Sequence, residues 1–350
     1  MSDLRYTAIA ALLKLLRLTG ATRALAPAFR GRGVILTMHH VRPAVETGFA
    51  PNKILEITPE FLDETIRLIR AQGYELSSLD EIPARLKTDS PPFAVLTFDD
   101  GYRDNAQYAL PVLKAHKAPF AIYATTGFAD GTAPLWWLDL EEVIARSSNS
   151  VVAPLPGGPV TLPTATDEDK ARAFHTIYWA LRPGPEGTLR ATIARMASEA
   201  GIDTLQRTRT LCMRWNELRS IAADPLCTIA AHTLTHPMLA KHAEHVAREE
   251  MAESKAIIED NLGREVRHLS YPVGDPGSAG VREFALARAC GFETAVTTRP
   301  GVLFADHLAH LTALPRISVN GLFQSRGDVA ALLSGVPTAL QNRGRRLNVA

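Results

Sequence analysis

The sequence predicts an α/β barrel of parallel strands, on three observations. Short apolar runs bounded by turn residues alternate with segments of helical periodicity, as in a parallel sheet covered by helices. The chain has 350 residues, which is enough for one such barrel. Seven runs are strand candidates, and this number favours seven or eight strands: GVILTMHH, PFAVLTFDD, PFAIYATT, LCTIAAH, HLSYPVG, ETAVTT and LPRISV.

Helices are predicted between these runs. The clearest begins at Thr58, whose hydroxyl is suited to cap a helix, and continues through Pro59 in the first turn to Gln72. Gly73 ends it. A second helical pattern covers residues 243–262.

Residues 1–32 form a separate N-terminal segment, predicted to be a basic amphipathic helix. It has two interpretations, a helix packed on the barrel or a peripheral contact with a membrane. A signal peptide is not predicted, because Lys14 would interrupt its apolar stretch and Asp3 lies where only positive charge is expected. We therefore expect the protein in the cytoplasm or peripheral to the inner membrane. The pattern rests on Ile9, Leu12, Leu13 and Leu16 with Arg5, Lys14 and Arg17.

The barrel itself is predicted to extend over residues 33–325. A helical insertion interrupts it at about 147–210, where a Pro- and Gly-rich start is followed by helical periodicity. Residues 326–350 are expected to form a short helix and a basic tail.

Composition excludes several classes of function. A net charge of +1 gives no basic field of the kind that nucleic-acid binding needs. Three cysteines, far apart and without C-x-x-C spacing, indicate neither a disulfide framework nor a thiolate zinc site. No apolar run reaches the roughly 20 residues needed to cross a bilayer.

Polar residues close four of the predicted strands. Active-site residues of α/β barrels lie at the carboxyl ends of the strands, so these side chains are expected to meet in one place. They are His39 and His40, Asp99 and Asp100, His232, and Tyr271.

Part of this set has the composition of a metal site. His232 and His236 are four residues apart, so a single helical turn would place both imidazoles on one side, where they can share a cation. Asp99 and Asp100 precede a turn at Gly101, and both can reach one cavity there. The alternative is an Asp-Asp-Gly turn that only caps a helix. Two imidazoles, one carboxylate and an open position are typical of catalytic metal centres.

The motif TFDDGYRDN at residues 97–105, together with HTLTHPML at residues 232–239, resembles the polysaccharide deacetylases of carbohydrate esterase family four, which carry the NodB homology domain. VILTMHHVRP, PFAIYATTGF and LPRISV also resemble the branch with chitooligosaccharide and exopolysaccharide deacetylases. The resemblance implies a distorted barrel of about seven strands. It also implies hydrolytic removal of N-acetyl groups from an amino-sugar polysaccharide or oligosaccharide.

The resemblance further implies roles for particular residues. Asp99 would be the general base, and a backbone N–H in the loop after the HLS strand would stabilise the oxyanion. That loop segment is Tyr271, Pro272 and Val273. One divalent metal ion, with zinc expected, would be held by Asp100, His232 and His236.

Two more residues are candidates with open alternatives. The family's usual arginine before the Pro is missing from SYPVG, and Arg316 is a candidate replacement that would orient Asp99; the alternative is a salt bridge at the core edge. Trp137, with Trp136, would either stack on a sugar ring or pack on the barrel.

The general acid is expected to be His39. Family members commonly use a His that closes a late strand, but here His307 and His310 precede the last strand candidate. A closed barrel keeps its site when the last strand is moved to the front, so we predict a circularly permuted arrangement with His39 in this role and His40 as second choice. A His that only caps its strand is the alternative.

The sequence is also compatible with three other functions. The same fold could bind metal or carbohydrate without catalysis, although a free Asp99 beside the cation argues against it. The enzyme could hydrolyse another small amide or ester. The N-terminal helix could make the protein a membrane-assembly scaffold.

Overall fold

The computed structural model describes residues 2–45, 48–88 and 91–349, with side chains from Thr7 onward. Arg5, part of the predicted basic face, has its side chain outside this description. The strands are β1 (Gly33–Met38), β2 (His40–Val41), β3 (Glu56–Ile57), β4 (Glu75–Leu76), β5 (Phe93–Phe98), β6 (Phe120–Ala124), β7 (Ser150–Leu155), β8 (Gly158–Pro163), β9 (Cys227–Ala231), β10 (His268–Ser270), β11 (Thr294–Pro300) and β12 (Leu314–Ser318).

The α-helices surround these strands and fill the excursions between them. They are α1 (Ser2–Leu18), α2 (Ala21–Phe29), α3 (Pro59–Ala71), α4 (Ile82–Arg85), α5 (Leu110–Ala115), α6 (Thr126–Asp130), α7 (Trp136–Arg146), α8 (Asp167–Leu181), α9 (Glu186–Glu199), α10 (Thr204–Leu211), α11 (Trp215–Ala222), α12 (Glu244–Leu262), α13 (Val281–Ala289), α14 (Arg326–Leu333) and α15 (Val336–Gln341).

Within the described ranges, seven parallel strands close into a barrel, which confirms the predicted fold class. The order around it is β1, β5, β6, β9, β10, β11, β12 and back to β1. The first strand therefore closes the barrel, because β1 pairs with β5 from Gly33↔Phe93 to Met38↔Phe98 and also with β12. The short strand β4 pairs in parallel with the beginning of β5 and is not one of the seven barrel strands. Each of the seven predicted apolar runs supplies one strand.

Alternation along the strands separates the barrel interior from its outer layer. Alternate strand residues pack together inside the barrel: Ile35, Val95, Tyr123, Ala230, Val296 and Leu314. Their neighbours, such as Leu36 and Leu96, point outward and pack with the helices. Both faces of each strand are thus covered, which explains why the strand sequences are almost continuously apolar.

Helix α3 begins as the sequence predicts. Thr58 Oγ1 accepts the Phe61 N–H at 3.1 Å, Pro59 lies in the first turn, and the helix ends at Ala71.

The excursion between β6 and β9 contains more than the predicted helices. Residues 150–163 form an antiparallel hairpin of β7 and β8, paired from Ser150↔Pro163 to Leu155↔Gly158. The hairpin occupies the Pro- and Gly-rich start of the predicted insertion, where no strands were predicted because this composition resembles a loop, and helices α8 and α9 follow it. The hairpin and helices α7 to α9 share an apolar core of their own with residues such as Ile144, Ile177 and Leu189.

The N-terminal segment forms helices α1 and α2. Leu13 and Leu16 are buried, and Arg17 Nη1 lies 2.9 Å from Asp328 Oδ1 of α14, so α1 packs on the C-terminal helices. Among the described helices, none combines the length and apolar character needed to cross a membrane.

Candidate active site

The inward alternation of the strands places polar side chains at one end of the barrel. Continuing the inward positions of β5, β9 and β12 leads to Asp99, His232 and Arg316, and all three are almost fully buried. The same alternation in β10 turns Ser270 inward. The predicted meeting of strand-end residues therefore occurs, and the barrel geometry explains it.

Asp100 reaches the same cavity through an unusual backbone conformation. It follows inward Asp99 and would point outward on a regular strand, but its φ of 71° lies in the left-handed region and turns the chain. Asp100 Oδ1 then lies 3.5 Å from His232 Nε2 and 3.3 Å from His236 Nε2. The three residues are buried together.

The segment that carries the two histidines is not helical, and the predicted helical turn is wrong. Residues 232–238 form an irregular bend in which Thr233 has a φ of 66° and His236 a φ of 60°. His232 and His236 converge because of this bend, with ring centroids 5.0 Å apart. Non-glycine residues rarely adopt these conformations, so the sequence contains no signal for them.

The residues of this cluster fit a metal ion. His232 Nδ1 donates to the Ser270 carbonyl at 2.7 Å, since a carbonyl only accepts, so in the neutral imidazole Nε2 carries a lone pair. This lone pair faces Asp100 Oδ1, which is buried and has no hydrogen-bond donor among the described residues. With the ring neutral, these two acceptors would both be satisfied by a cation between them, and one carboxylate and two imidazoles suit a divalent ion.

The electrostatics of Asp100 agree with this fit. Burial by itself would raise the pKa of Asp100, but His232 and His236 outweigh it and hold the pKa well below its ordinary value. The carboxyl is therefore ionised over the neutral range and available as a ligand.

Asp99 is held by a buried ion pair with Arg316. The guanidinium donates to both carboxylate oxygens, at 2.7 Å from Nη1 to Oδ1 and 2.6 Å from Nη2 to Oδ2. Arg316 also donates to the Thr297 carbonyl at 2.8 Å and to Ser270 Oγ at 3.0 Å. Burial opposes the charge, but Arg316 and His232 lower the pKa of Asp99 below its ordinary value.

His39 and His40 have opposite environments. His39 is partly exposed at the end of β1, and burial lowers its pKa although Asp100 and Asp99 oppose the change. His39 thus lies in the field of both carboxylates. His40 is buried, with Nδ1 2.5 Å from Asp104 Oδ2 and its ring stacked on Tyr102 at 3.6 Å. The structure brings His39, not His40, to the cluster.

In the predicted oxyanion segment after β10, residues 271–273, one backbone N–H has no acceptor among the described residues. The Tyr271 side chain points outward, its hydroxyl donates to the Thr312 carbonyl at 2.8 Å and its N–H to the Val296 carbonyl at 3.1 Å, so it does not face the site. Pro272 has no N–H, and Gly274 N–H donates back to the Pro272 carbonyl. Val273, with a φ of 61°, keeps an N–H without an acceptor in the described chain.

Trp137 packs against a residue of the cluster. Its ring centroid lies 4.9 Å from that of His236, and Trp136 packs edge-on at 5.6 Å. Both indoles are buried, with 7% and 4% of their surface exposed, which leaves little area for a sugar ring. This placement favours the packing interpretation.

Several residues that shape the site were not selected from the sequence. Asn105 Nδ2 donates to the His39 carbonyl at 2.7 Å, and Asp104 accepts from His40 and from the Val41 N–H. Both lie in the TFDDGYRDN motif, so the motif itself was a usable signal. Glu250 accepts from the Leu234 N–H. It lies in a helix of ordinary pattern, so the sequence gave no signal that it shapes the site.

The structure is a barrel with a buried carboxylate and imidazole cluster beside a second carboxylate. The chain belongs to the polysaccharide deacetylase family, whose model matches residues 87–295, more than half of the sequence. This family hydrolyses acetyl groups from polysaccharides, and the chain is a hydrolytic deacetylase of that class. Among proteins with curated descriptions, none matches the sequence.

Solved structures support the fold. The deacetylase PplD of Streptococcus pyogenes, solved with acetate, is 18% identical with a TM-score of 0.53, over 82% of this chain and 92% of its own. IcaB of Ammonifex degensii is 18% identical with a TM-score of 0.54, and the match covers 87% of this chain and 97% of IcaB. A polysaccharide deacetylase of Bacillus cereus is 15% identical with a TM-score of 0.52, and the match covers 85% of this chain and 68% of that protein. These similarities concern the barrel architecture.

Proposed function

We propose that the protein is a metal-dependent N-deacetylase of an N-acetylglucosamine-containing polysaccharide or oligosaccharide, releasing acetate. The observation that carries the proposal is the buried group of Asp100, His232 and His236 next to a separately held carboxylate, Asp99. The carboxylate ligand and the base are thus distinct, neighbouring residues at the end of β5.

Each role follows from the placement of a residue. A bound divalent cation, with zinc expected, would polarise the acetamide carbonyl and acidify a water molecule. Asp99, kept ionised by Arg316, accepts the proton of the attacking water. The free N–H of Val273 donates to the oxyanion that develops. His39, at the end of the first strand, donates a proton to the departing amine.

This assignment of His39 agrees with a permuted barrel. Because β1 lies between β12 and β5 in the closed sheet, a general acid on the first strand reaches the same cavity as one on a last strand would.

The catalytic interpretation is preferred over a binding function. A site that only held metal would need no second buried carboxylate, and burying the Asp99–Arg316 pair carries a desolvation cost. Such a cost is expected where the charge has a chemical role.

The metal site is tested by the metal content of the purified protein. We expect about one divalent ion per chain in the wild type and a loss of it in His232→Ala and His236→Ala. Full metal content and full activity in both variants would contradict the assignment.

The substrate is tested by acetate release from chitooligosaccharides, poly-N-acetylglucosamine and peptidoglycan fragments. We expect release from at least one amide substrate, abolished by a chelator and restored by zinc. Release only from O-acetyl esters or from unrelated small amides would replace the N-deacetylase proposal with a different deacylase.

We also propose that α1 attaches the protein peripherally to the inner membrane. Leu15 and Leu18 on its outer face are 58% and 76% exposed, and residues 4–45 contain basic residues but neither Asp nor Glu. Sedimentation with phosphatidylglycerol-containing vesicles tests this. Leu15→Asp should weaken binding, while Val281→Asp, at a 64% exposed position on α13, should not. Absence of wild-type sedimentation would refute attachment.

A further inference from the structure

The bend after β9 holds a metal-site residue in an unfavourable conformation. Thr233 and His236 both have left-handed φ values, which cost conformational energy in residues with a Cβ. Such conformations persist only where the surroundings determine them strongly. The contacts that hold this bend therefore decide where the His236 imidazole lies relative to Asp100.

The barrel supplies the first set of contacts. Glu250 on α12 accepts hydrogen bonds at Oε2 from the Leu234 N–H at 2.8 Å and the Thr235 N–H at 2.9 Å. Its other oxygen accepts from Thr235 Oγ1 at 2.6 Å. These bonds fix the middle of the bend but do not reach the backbone of His236.

The insertion supplies the second set. Arg190 on α9 donates through Nη2 to the His236 carbonyl at 2.8 Å and to the Thr235 carbonyl at 3.1 Å. Glu186, one turn earlier, accepts the Met238 N–H at 2.6 Å and binds Arg190 Nε at 2.7 Å. The two side chains thus hold the chain immediately on both sides of Pro237.

The charges of this pair are matched to the buried position. Glu186 is 2% exposed, and burial would raise its pKa, but Arg190, His242 and the Met238 N–H together lower it. Glu186 is therefore a carboxylate at neutral pH, and its bonds to the bend are charge-assisted.

We propose that Glu186 and Arg190 are positioning residues of the metal centre, so that a helix of the insertion, outside the barrel, sets the place of His236. This inference rests on the metal-dependent function proposed above. Residues that orient a metal ligand from behind typically change metal affinity when replaced, even though they never touch the ion.

A matched control lies on the same helix. Arg195 and Glu199 form an ion pair with the same four-residue spacing, at 3.2 Å, and each side chain is 61% exposed. Neither is bonded to the bend in the described part of the chain. Removing Arg195 therefore perturbs α9 to a similar extent without releasing His236.

The test is the zinc dissociation constant of the full chain, measured by competition with a chromophoric chelator. Arg190→Ala should weaken zinc binding about 10- to 100-fold, and Arg195→Ala should leave it unchanged. Arg190→Lys, which keeps the charge but not the fork of donors, should lie between the two. Glu186→Gln should weaken binding as well, and it also serves if Arg190→Ala does not fold.

The outcomes separate the two proposals. Equal affinity in the wild type, Arg190→Ala and Glu186→Gln would overturn the positioning role while the metal site stands. A wild type that binds no zinc, or a His236→Ala variant that binds it unchanged, would overturn the metal site and the positioning role together. A lower melting temperature with unchanged zinc affinity would assign the pair a purely structural role.

Discussion

The ion pair of Arg316 and Asp99 gives a prediction about stability that does not depend on the reaction. The two side chains are 1% and 2% exposed and share two hydrogen bonds of 2.7 and 2.6 Å. Replacing Arg316 with Met leaves the Asp99 carboxylate buried without its cation. Breaking a buried pair from one side costs about 3–5 kcal/mol, so Arg316→Met should lose stability in that range.

The second single variant, Asp99→Asn, is expected to lower the free energy of unfolding by less than Arg316→Met does. In Asp99→Asn the amide oxygen still accepts one bond from Arg316, and the guanidinium keeps the Thr297 carbonyl and Ser270 Oγ. The double variant buries no unpaired charge. The free energy of unfolding lost in the double variant should therefore be smaller than the sum of the losses in the two single variants, by about 2 kcal/mol or more.

The assay is urea unfolding followed by circular dichroism, with a chelator present so that metal binding does not contribute. The exposed pair of Arg195 and Glu199 provides the control cycle, where about 0.3–0.5 kcal/mol of coupling is expected. If the Arg316 and Asp99 cycle is additive, or couples no more than this control, the argument from burial fails.

The remaining predictions concern single residues. Asp99→Asn should keep the metal and lose turnover about 10²-fold or more, whereas Asp100→Asn should lose the metal; equal metal loss in both would mean that the roles are divided wrongly. His39→Gln should lower turnover by about 10²–10⁴-fold at every pH without changing metal content, and unchanged turnover would exclude it as the acid. Asp139 is buried, which raises its pKa from 3.8 to about 7, so its folded form prefers the proton and stability declines as pH rises between these values. Asp139→Asn should thus be stabilising by about 4 kcal/mol at pH 8 and neutral below about pH 4 in urea unfolding, and a pH-independent effect would contradict the shift.

The barrel was predictable because its strands are buried on both faces. A run such as that of β5, buried over its whole length, can hardly be anything but a central strand once helical patterns flank it. The meeting of Asp99 and His232 followed from the rule that strand ends share one rim. Seven such runs were enough to define the fold class.

The outward direction of Tyr271 was also available from the sequence in principle. Residues of β10 alternate, so an inward Ser270 requires an outward Tyr271, and selecting Tyr271 as the polar strand end ignored this period of two. The conformation of the bend at Thr233 and His236 could not be predicted from the sequence. It depends on Glu250 and Arg190, which are distant in sequence and lie on helices with unremarkable patterns.

The different environments of the two adjacent carboxylates arise from one backbone angle. Asp99 continues the inward positions of β5 and meets a cation supplied by the chain, Arg316, at both of its oxygens. The left-handed conformation of Asp100 turns its carboxylate instead toward His232 and His236, whose imidazoles carry no permanent positive charge. A carboxylate paired with an arginine keeps its cation in every state of the site, whereas one facing two imidazoles depends on their protonation or on a bound cation. The fold therefore gives the proposed base, Asp99, and the proposed metal ligand, Asp100, different environments at neighbouring positions.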